Sequence, residues 1–382
     1  MTKTRRTDIL LLMTALMLVA IGLAMVYSTS AVVAHERHGD SLYFLKRQLV
    51  WAALGLLAMG VAWYVPYRNQ QRLVLPLLWV SLVALCLVLV PGMGKEVGGA
   101  RRWLALGPFS LQPSEFAKYG LIVYSAYVCA DLHRKRQRDE LRFGYVLGLL
   151  CVFCGLIFLQ PDLGTAVVLA AVVGAHLMIA GLPWRYIGYA LAAGIPSMIY
   201  AIVYEPYRMK RLMSFLQPEN DPQGAGYQAI QSLLALGRGG LWGAGLGRGR
   251  QKLFYLPEAH TDFIFAAIGE ELGFLGAAGL VCLFLLLLWR ILVIAIECRE
   301  PFGTLLGLGV FLLLGMQIVM NLGVVLGLLP TKGLPLPLIS LGGSNLVVSL
   351  LAIGTMLSIA GAQPGRESWR HAPPGKPAWG QI

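Results

Sequence analysis

The feature of this sequence that most constrains its fold is a series of long apolar segments. A helix that crosses a bilayer needs about 20 mostly apolar residues. About ten segments approach this requirement, roughly at residues 9–29, 48–65, 71–90, 114–131, 144–160, 163–181, 185–204, 263–297, 303–329 and 340–361. The eighth is overlong, and Glu270, Glu271 and Gly273 interrupt it early. We predict an all-α, polytopic membrane bundle of about ten transmembrane helices.

The placement of lysine and arginine predicts how the segments are oriented, because short cytoplasmic connections carry an excess of both. With a cytoplasmic N-terminus, ten spans place these basic clusters inside: Arg68–Arg72, Arg134–Arg142, Arg185, Arg290–Arg299 and the C-terminal basic residues. The long 205–262 connection, between helices 7 and 8, then lies outside. We predict a single transmembrane domain over residues 1–363. Residues 364–382 are rich in Pro and Gly and are predicted to form a disordered cytoplasmic tail.

The low content of charged residues and the positive net charge together limit the kinds of molecule that this chain can bind. Only 13% of the residues are charged, against roughly 25% in soluble domains. The net charge of +12 would suggest nucleic acid in a soluble protein. In a chain this apolar, we attribute it to cytoplasmic anchoring charges and an anionic substrate, and we predict no nucleic-acid partner.

Two charged residues lie at the start of the fourth apolar segment. Ionisable groups inside a membrane are costly and are candidates for function. Glu115 and Lys118 are three residues apart, so they share one helix face and can pair. Two interpretations of this pair stay open. It is a structural ion pair that holds helix ends together, or it serves the functional site.

Basic residues beside glycines indicate phosphate binding at two places. Backbone N–H groups of glycine-rich segments approach anions closely, and arginine offers a forked donor. The first place is Gly98-Gly99-Ala100-Arg101-Arg102-Trp103, where ordinary anchoring at the membrane interface is the alternative. The second is the run Gly237–Gly249 with Arg238 and Arg248, where the alternative is a flexible loop.

Two aspartates lie where connections meet apolar segments. Asp162 could cap the sixth helix or serve a polar cavity. Asp262 ends the long outer connection, where partial desolvation would raise its pKa and make it a better base. Helix capping is the alternative for Asp262. Glu258 and His260 form a loose metal set with it, but no second His or Cys has ligand spacing, so we predict no protein metal site.

The last motif interrupts the apolar pattern between the ninth and tenth segments. It comprises Pro330-Thr331-Lys332-Gly333-Leu334-Pro335-Leu336-Pro337 and Ser340-Leu341-Gly342-Gly343-Ser344. Non-helical backbone at membrane depth is tolerated where it lines a cavity, which Lys332 could reach. A tight connection between helices is the alternative. Cationic groups and one carboxylate at the outer surface suit a lipid-linked anionic substrate.

These motifs together resemble the SEDS family (shape, elongation, division and sporulation), which contains FtsW and RodA. The resemblance runs from the first span to the tenth, on Arg101 to Trp103, Gln112 to Lys118, Gln160 to Thr165, Gly226 to Gln228, Leu256 to Phe265, Gly269 to Gly273 and Lys332 to Ser344. Residues 255–260 and 330–334 are most similar to the FtsW branch. Two positions depart from the family pattern: Leu341 replaces a usual tyrosine, and Asn345 replaces a small hydroxyl residue.

The resemblance implies an inverting peptidoglycan glycosyltransferase of the bacterial cytoplasmic membrane at the division septum, with cytoplasmic termini. It implies lipid II as substrate and Asp262 as general base. The implied partners are a class B penicillin-binding protein (an FtsI-like transpeptidase) and the divisome regulators FtsQ, FtsL and FtsB. A divalent cation, Mg or Mn, on the substrate pyrophosphate is compatible with this chemistry. A lipid II flippase and a non-catalytic division scaffold are the alternatives.

The predicted substrate-binding residues share a position near the outer face or in a motif of the family. They are Arg101, Arg102, Glu115, Lys118, Asp162, Arg238, Arg248, His260, Lys332, Ser340, Gly342, Gly343 and Ser344.

Overall fold

The structure, a computed structural model, describes residues 7–97, 100–107, 109–135, 140–220, 224–249 and 260–362. These residues form a bundle of α-helices with one small sheet. The helices are α1 (Ile9–His38), α2 (Tyr43–Tyr64), α3 (Gln70–Leu89), α4 (Pro113–Lys135), α5 (Glu140–Leu159), α6 (Leu163–Ile179), α7 (Trp184–Tyr204), α8 (Pro206–Leu216), α9 (Ala225–Gly239), α10 (Ile264–Glu297), α11 (Pro301–Val325) and α12 (Gly343–Ala362). The predicted 364–382 tail lies outside the described residues.

A helical membrane bundle is confirmed. Within the described ranges, eight helices are long and apolar enough to cross a bilayer: α1, α2, α3, α5, α7, α10, α11 and α12. The predicted fourth span corresponds to α4, which carries Glu115, Lys118 and Asp131. The sixth corresponds to α6, whose apolar length is only 17 residues. The count of ten spans therefore stays a prediction.

The first two helices are longer than their apolar segments. The predicted 30–47 connection is reduced to residues 39–42. Helix α1 continues to His38 and ends at Gly39, which has φ 70° and donates its N–H to the His35 carbonyl. A left-handed glycine ends a helix at little steric cost. Local backbone chemistry, and not hydropathy, therefore sets this boundary.

The described residues between 94 and 111 form a sheet that the apolar pattern did not reveal. Strands β1 (Gly94–Val97), β2 (Ala100–Leu106) and β3 (Phe109–Leu111) are antiparallel in the order β1-β2-β3. The sheet packs against α3 and α4. Its strands have only three to seven residues, too few for a clear alternating pattern. The sheet places β2, with both predicted arginines, beside the turn between α5 and α6.

The predicted interruption of the eighth apolar segment is confirmed, because α10 breaks at Gly273 (φ 70°, ψ −172°). The preceding glycine-rich segment bonds to the break. Its N–H groups at 244 and 245 donate to the carbonyls of Glu270 and Glu271, and its carbonyls at 240 and 241 accept from the N–H groups of residues 274 and 275. The described part of the 205–262 connection is thus partly helical, in α8 and α9, and α9 and the glycine-rich segment pack on α10.

Candidate functional site

The segment immediately before α10 is held by three successive backbone carbonyls. The His260 carbonyl accepts from Leu341 N at 3.0 Å, the Thr261 carbonyl from Ser340 Oγ at 2.6 Å, and the Asp262 carbonyl from Asn321 Nδ2 at 2.8 Å. The donors come from α11 and from the connection between α11 and α12. These three bonds fix the backbone of residues 260–262, and with it the direction in which the Asp262 side chain leaves the backbone. Predicted residues Ser340 and His260 therefore support Asp262 through the backbone.

The Asp262 side chain is partly buried beside the connection that carries Lys332. A Cβ built on Gly333 would lie 3.4 Å from Asp262 Oδ2, so this backbone borders the carboxylate. Phe263 occupies the N-cap position of α10, and the cap has no side-chain hydrogen bond. Phe263 thus holds the position that the capping alternative gave to Asp262, which lies one residue earlier.

Asp162 caps a helix and also forms an ion pair. Its carboxylate accepts from Thr165 N at 3.1 Å and from Thr165 Oγ1 at 2.9 Å, which confirms the capping alternative. Arg102 Nη1 lies 3.8 Å from Asp162 Oδ2, and the Asp162 side chain is only 8% exposed. Capping and charge pairing therefore occur together.

The two predicted arginines of β2 have different surroundings, as expected for neighbours on opposite faces of a strand. Arg102 donates through Nε to the Gln160 carbonyl at 3.3 Å and through Nη2 to the Pro161 carbonyl. Its fork thus ties β2 to the turn between α5 and α6. Exposed Arg101 pairs with Glu96 at 3.3 Å. Arg101 also borders an open depression of about 300 Å³, whose other lining residues are Leu89, Glu96, Leu159 and Pro161.

Lys332 lies between the two aspartate motifs. Its Cδ would be 3.4 Å from a Cβ on Gly164, so the side chain packs across the start of α6. Burial lowers the pKa of Lys332, and the Asp162 carboxylate partly opposes this shift. The adjoining Thr331 carbonyl accepts a hydrogen bond from Arg211 of α8 at 3.3 Å. The structure thus brings Arg102, Asp162, Lys332 and Asp262 into one neighbourhood.

The Glu115–Lys118 pair is confirmed and is deeply buried. Lys118 Nζ lies 2.8 Å from Glu115 Oε1, with the two side chains 0% and 2% exposed. Asn345 Nδ2 donates to Glu115 Oε2 at 3.1 Å and lies 3.4 Å from Gln317 Oε1. The asparagine that departs from the family pattern thus completes the polar surroundings of this carboxylate. The nearby Ser344 Oγ accepts from Gln112 N at 2.8 Å.

The remaining predicted residues have packing roles or exposed side chains. A Cβ on Gly343 would lie 2.3 Å from the Trp51 indole, so glycine allows α12 to approach α2. The half-buried Gly342 accepts from Leu346 N at the start of α12. Arg238 and Arg248 are exposed, on α9 and after it. Phosphate binding by both stays a prediction.

The glycine-rich segment was predicted to bind phosphate through its backbone N–H groups. For the described N–H groups at 244, 245 and 247 this prediction is wrong, because they donate to acceptors within the protein. The first two bond to carbonyls of the broken α10, and the Gly247 N–H donates to the Glu271 carboxylate at 3.1 Å. Ser28 of α1 donates to the same carboxylate at 2.6 Å. These donors stabilise the helix break, and a ligand would have to displace an internal bond.

Sequence reasoning missed the polar residues of α11. Gln317 and Asn321 are both buried, at 3% and 2% exposure. They are four residues apart in a mostly apolar helix and so share one face. Buried amides in an apolar span are a signal that a search restricted to charged residues does not detect.

Metal-ligating side chains do not gather in the part of the chain that the structure describes. It contains no group of three or more His, Cys, Asp and Glu side chains placed to hold an ion. Glu258, a member of the loose set considered from sequence, lies outside the described residues.

The chain is similar to known proteins over most of its length. The cell cycle protein family model for FtsW, RodA and SpoVE matches residues 8–364. A probable peptidoglycan glycosyltransferase FtsW of Trichlorobacter lovleyi is 46% identical over 356 residues, 92% of this chain and 93% of that protein. Stage V sporulation protein E of Bacillus subtilis is 40% identical over 361 residues, 94% of this chain and 98% of that protein.

Solved structures show the same fold. A structure of a peptidoglycan synthase complex, described as coordinating polymerization and crosslinking, matches with a TM-score of 0.74 and 34% identity, over 93% of this chain and 97% of that one. The rod shape determining protein RodA of Thermus thermophilus matches with a TM-score of 0.66 and 32% identity, over 93% and 96%. The chain belongs to the FtsW/RodA/SpoVE family of cell cycle proteins.

Proposed function

We propose that this membrane protein is a peptidoglycan glycosyltransferase of cell division that polymerises lipid II. Relatives named as probable peptidoglycan glycosyltransferases FtsW support the activity and the division role. The observation that carries the chemical proposal is the position of Asp262 beside Gly333, next to Lys332. A base and a cation are what a glycosyl transfer with an anionic leaving group needs.

Asp262 is the general base in this mechanism. The 4-hydroxyl of the GlcNAc of one lipid II attacks the anomeric carbon at the lipid-bound end of the growing strand. As the new C–O bond forms, the hydroxyl proton passes to the Asp262 carboxylate and the bond to pyrophosphate breaks. Attack opposite the leaving group inverts the anomeric centre. A positioned base of this kind typically contributes about 10²- to 10⁴-fold in rate.

Lys332 is the strongest candidate to stabilise the departing undecaprenyl pyrophosphate. Its charge would oppose the negative charge that develops on the leaving oxygen. Arg101, Arg102 and Arg248 are positively charged and are further candidates to stabilise the departing pyrophosphate. A divalent cation on the pyrophosphate would neutralise the same charge.

The partner we propose is a class B penicillin-binding protein that crosslinks the new strands. The similarity to a synthase complex that coordinates polymerization with crosslinking supports this pairing. Activation through FtsQ, FtsL and FtsB, a location at the septum and cytoplasmic termini belong to the same proposal.

The decisive experiment is strand synthesis by the purified chain with its cognate penicillin-binding protein and labelled lipid II. We expect glycan strands from the wild type and none in a standard assay from Asp262→Asn, with unchanged folding and partner binding. Only long incubations should reveal its residual rate, about 10²- to 10⁴-fold below the wild type. Asp40→Asn is the matched control, since Asp40 is an exposed aspartate paired with Lys46, and it should polymerise normally. Polymerisation by Asp262→Asn near the wild-type rate would refute the role of the base. Transfer of lipid II across vesicle membranes without strand formation would favour a flippase.

A further inference from the structure

Asn321 joins two segments that are distant in sequence. Its Nδ2 atom donates to the Asp262 carbonyl at 2.8 Å and to the Leu334 carbonyl at 2.8 Å. An amide NH₂ group has two hydrogens, so these bonds use its full donor capacity. Asn321 is 2% exposed, so bulk water cannot readily replace it. One buried side chain therefore connects the segment before α10 with the segment that follows Lys332.

The same two segments form the proposed site. Asp262 lies on one and Lys332 on the other, and they meet where the Asp262 carboxylate borders Gly333. A second link runs from Ser340 Oγ to the Thr261 carbonyl at 2.6 Å. The Ser340 bond fastens one residue before Asp262, whereas the Asn321 bonds fasten Asp262 itself and Leu334.

We propose that Asn321 is a positioning residue, which holds the Asp262 segment and the Lys332 segment at the separation that lets base and cation act on one substrate. This inference rests on the proposed glycosyltransferase function. Asn321 acts through Asp262, because both of its donor hydrogens are used on backbone carbonyls. Its loss should therefore lower the rate of the chemical step and leave substrate binding nearly unchanged.

Asn321→Leu removes both donors and keeps the number and branching of the side-chain heavy atoms. Because a misplacement of about 1 Å at a reacting group can cost on the order of 100-fold in rate, we expect kcat to fall about 10- to 100-fold. We expect KM for lipid II to change less than about threefold. Gln317→Met is the matched control, since it removes a buried amide one turn away on α11 that contacts Asn345. Hydrogen exchange of peptides covering 260–263 and 331–341 should increase in Asn321→Leu and stay at the wild-type level in Gln317→Met.

A double-mutant cycle separates positioning from general destabilisation. In long incubations, Asp262→Asn should form a small residual amount of product. If Asn321 acts through Asp262, the double variant with Asn321→Leu should form the same amount. An equal fold-loss in both backgrounds, unchanged exchange at 260–263, or an unchanged kcat would each overturn the proposal. If Asn321→Leu does not accumulate in membranes, Asn321→Ser replaces it and should show the same pattern with a smaller loss.

The readouts distinguish this inference from the proposed function. No polymer from the wild type would refute the glycosyltransferase, and with it the inference. Normal polymerisation by the wild type and by Asn321→Leu alike would refute positioning alone and leave the glycosyltransferase standing.

Discussion

The backbone of Gly333 borders the carboxylate of Asp262, because a Cβ at residue 333 would lie 3.4 Å from Asp262 Oδ2. This is an ordinary contact distance, so Gly333→Ala should keep most of the strand-synthesis activity. Gly333→Leu should crowd or displace the carboxylate and lower the rate about 10- to 100-fold. Gly60→Leu is the control, since a Cβ at Gly60 meets nothing within 4 Å. Full activity of Gly333→Leu would show that the space beside Asp262 is not used.

The contacts of the Arg102 guanidinium predict that activity falls in steps when this residue is replaced first by lysine and then by alanine. Lysine cannot supply the planar fork that reaches two carbonyls and Asp162. Arg102→Lys should therefore lower turnover at normal membrane levels, and Arg102→Ala should lower it further. If the contact is realised in the transition state, with the pyrophosphate, losing one charge-assisted contact costs roughly 1.5–3 kcal/mol, or about ten- to a hundredfold in rate. The same order is expected, more weakly, at the exposed Arg101. If Arg102→Lys synthesises strands like the wild type and Arg102→Ala only lowers protein abundance, anchoring at the interface explains this residue better.

The buried Glu115–Lys118 pair should be sensitive to the loss of either partner. Glu115→Ala and Lys118→Ala each leave one buried charge without its partner, which typically destabilises a protein by about 3–5 kcal/mol. Thermal unfolding in detergent and strand synthesis measure the effect. The swapped double variant, Glu115→Lys with Lys118→Glu, should recover part of the stability. If both single variants unfold at the wild-type temperature and synthesise strands at the wild-type rate, the pair is unimportant.

Lys332 predicts a pH dependence of turnover. Burial lowers the pKa of Lys332, so its charge is lost at a lower pH than the usual value near 10.4. The charge that stabilises the departing pyrophosphate is present below the shifted pKa, so kcat should fall as the pH increases through it. Lys332→Arg should abolish this alkaline fall, because a guanidinium stays protonated. Asp162→Asn removes a charge that raises the Lys332 pKa, so it should move the fall to lower pH. An identical alkaline profile in Lys332→Arg would exclude Lys332 as its source.

The predicted orientation can be tested by cysteine labelling in a variant without the six native cysteines. An impermeant thiol reagent added to intact cells should label Trp242→Cys, in the predicted outer connection. It should not label Arg72→Cys or Arg136→Cys, which are predicted to be cytoplasmic. Labelling of residue 136 from outside would overturn the topology, and with it an outward-facing site.

The sequence predicted the membrane bundle because long apolar segments and basic connections are local features. The same holds for the break at Gly273, the pairing of Glu115 with Lys118, and the helix cap at Asp162. Each depends on residues within a few positions of one another. The sheet at 94–111 was missed because its strands are too short to show a pattern. The use of the glycine-rich N–H groups was missed because their acceptors lie on α10.

By itself, the sequence therefore determined the kind of protein, the family and the motifs in which candidate residues lie. The tertiary structure alone decided which motifs meet. Gly333 reaches Asp262, Arg102 reaches the turn at 160–162, and Asn321 joins Asp262 to Leu334. The physical reason is that these contacts connect side chains and backbone groups on different helices and connections. Helix packing brings such groups within hydrogen-bond distance, and no periodicity along the chain records it.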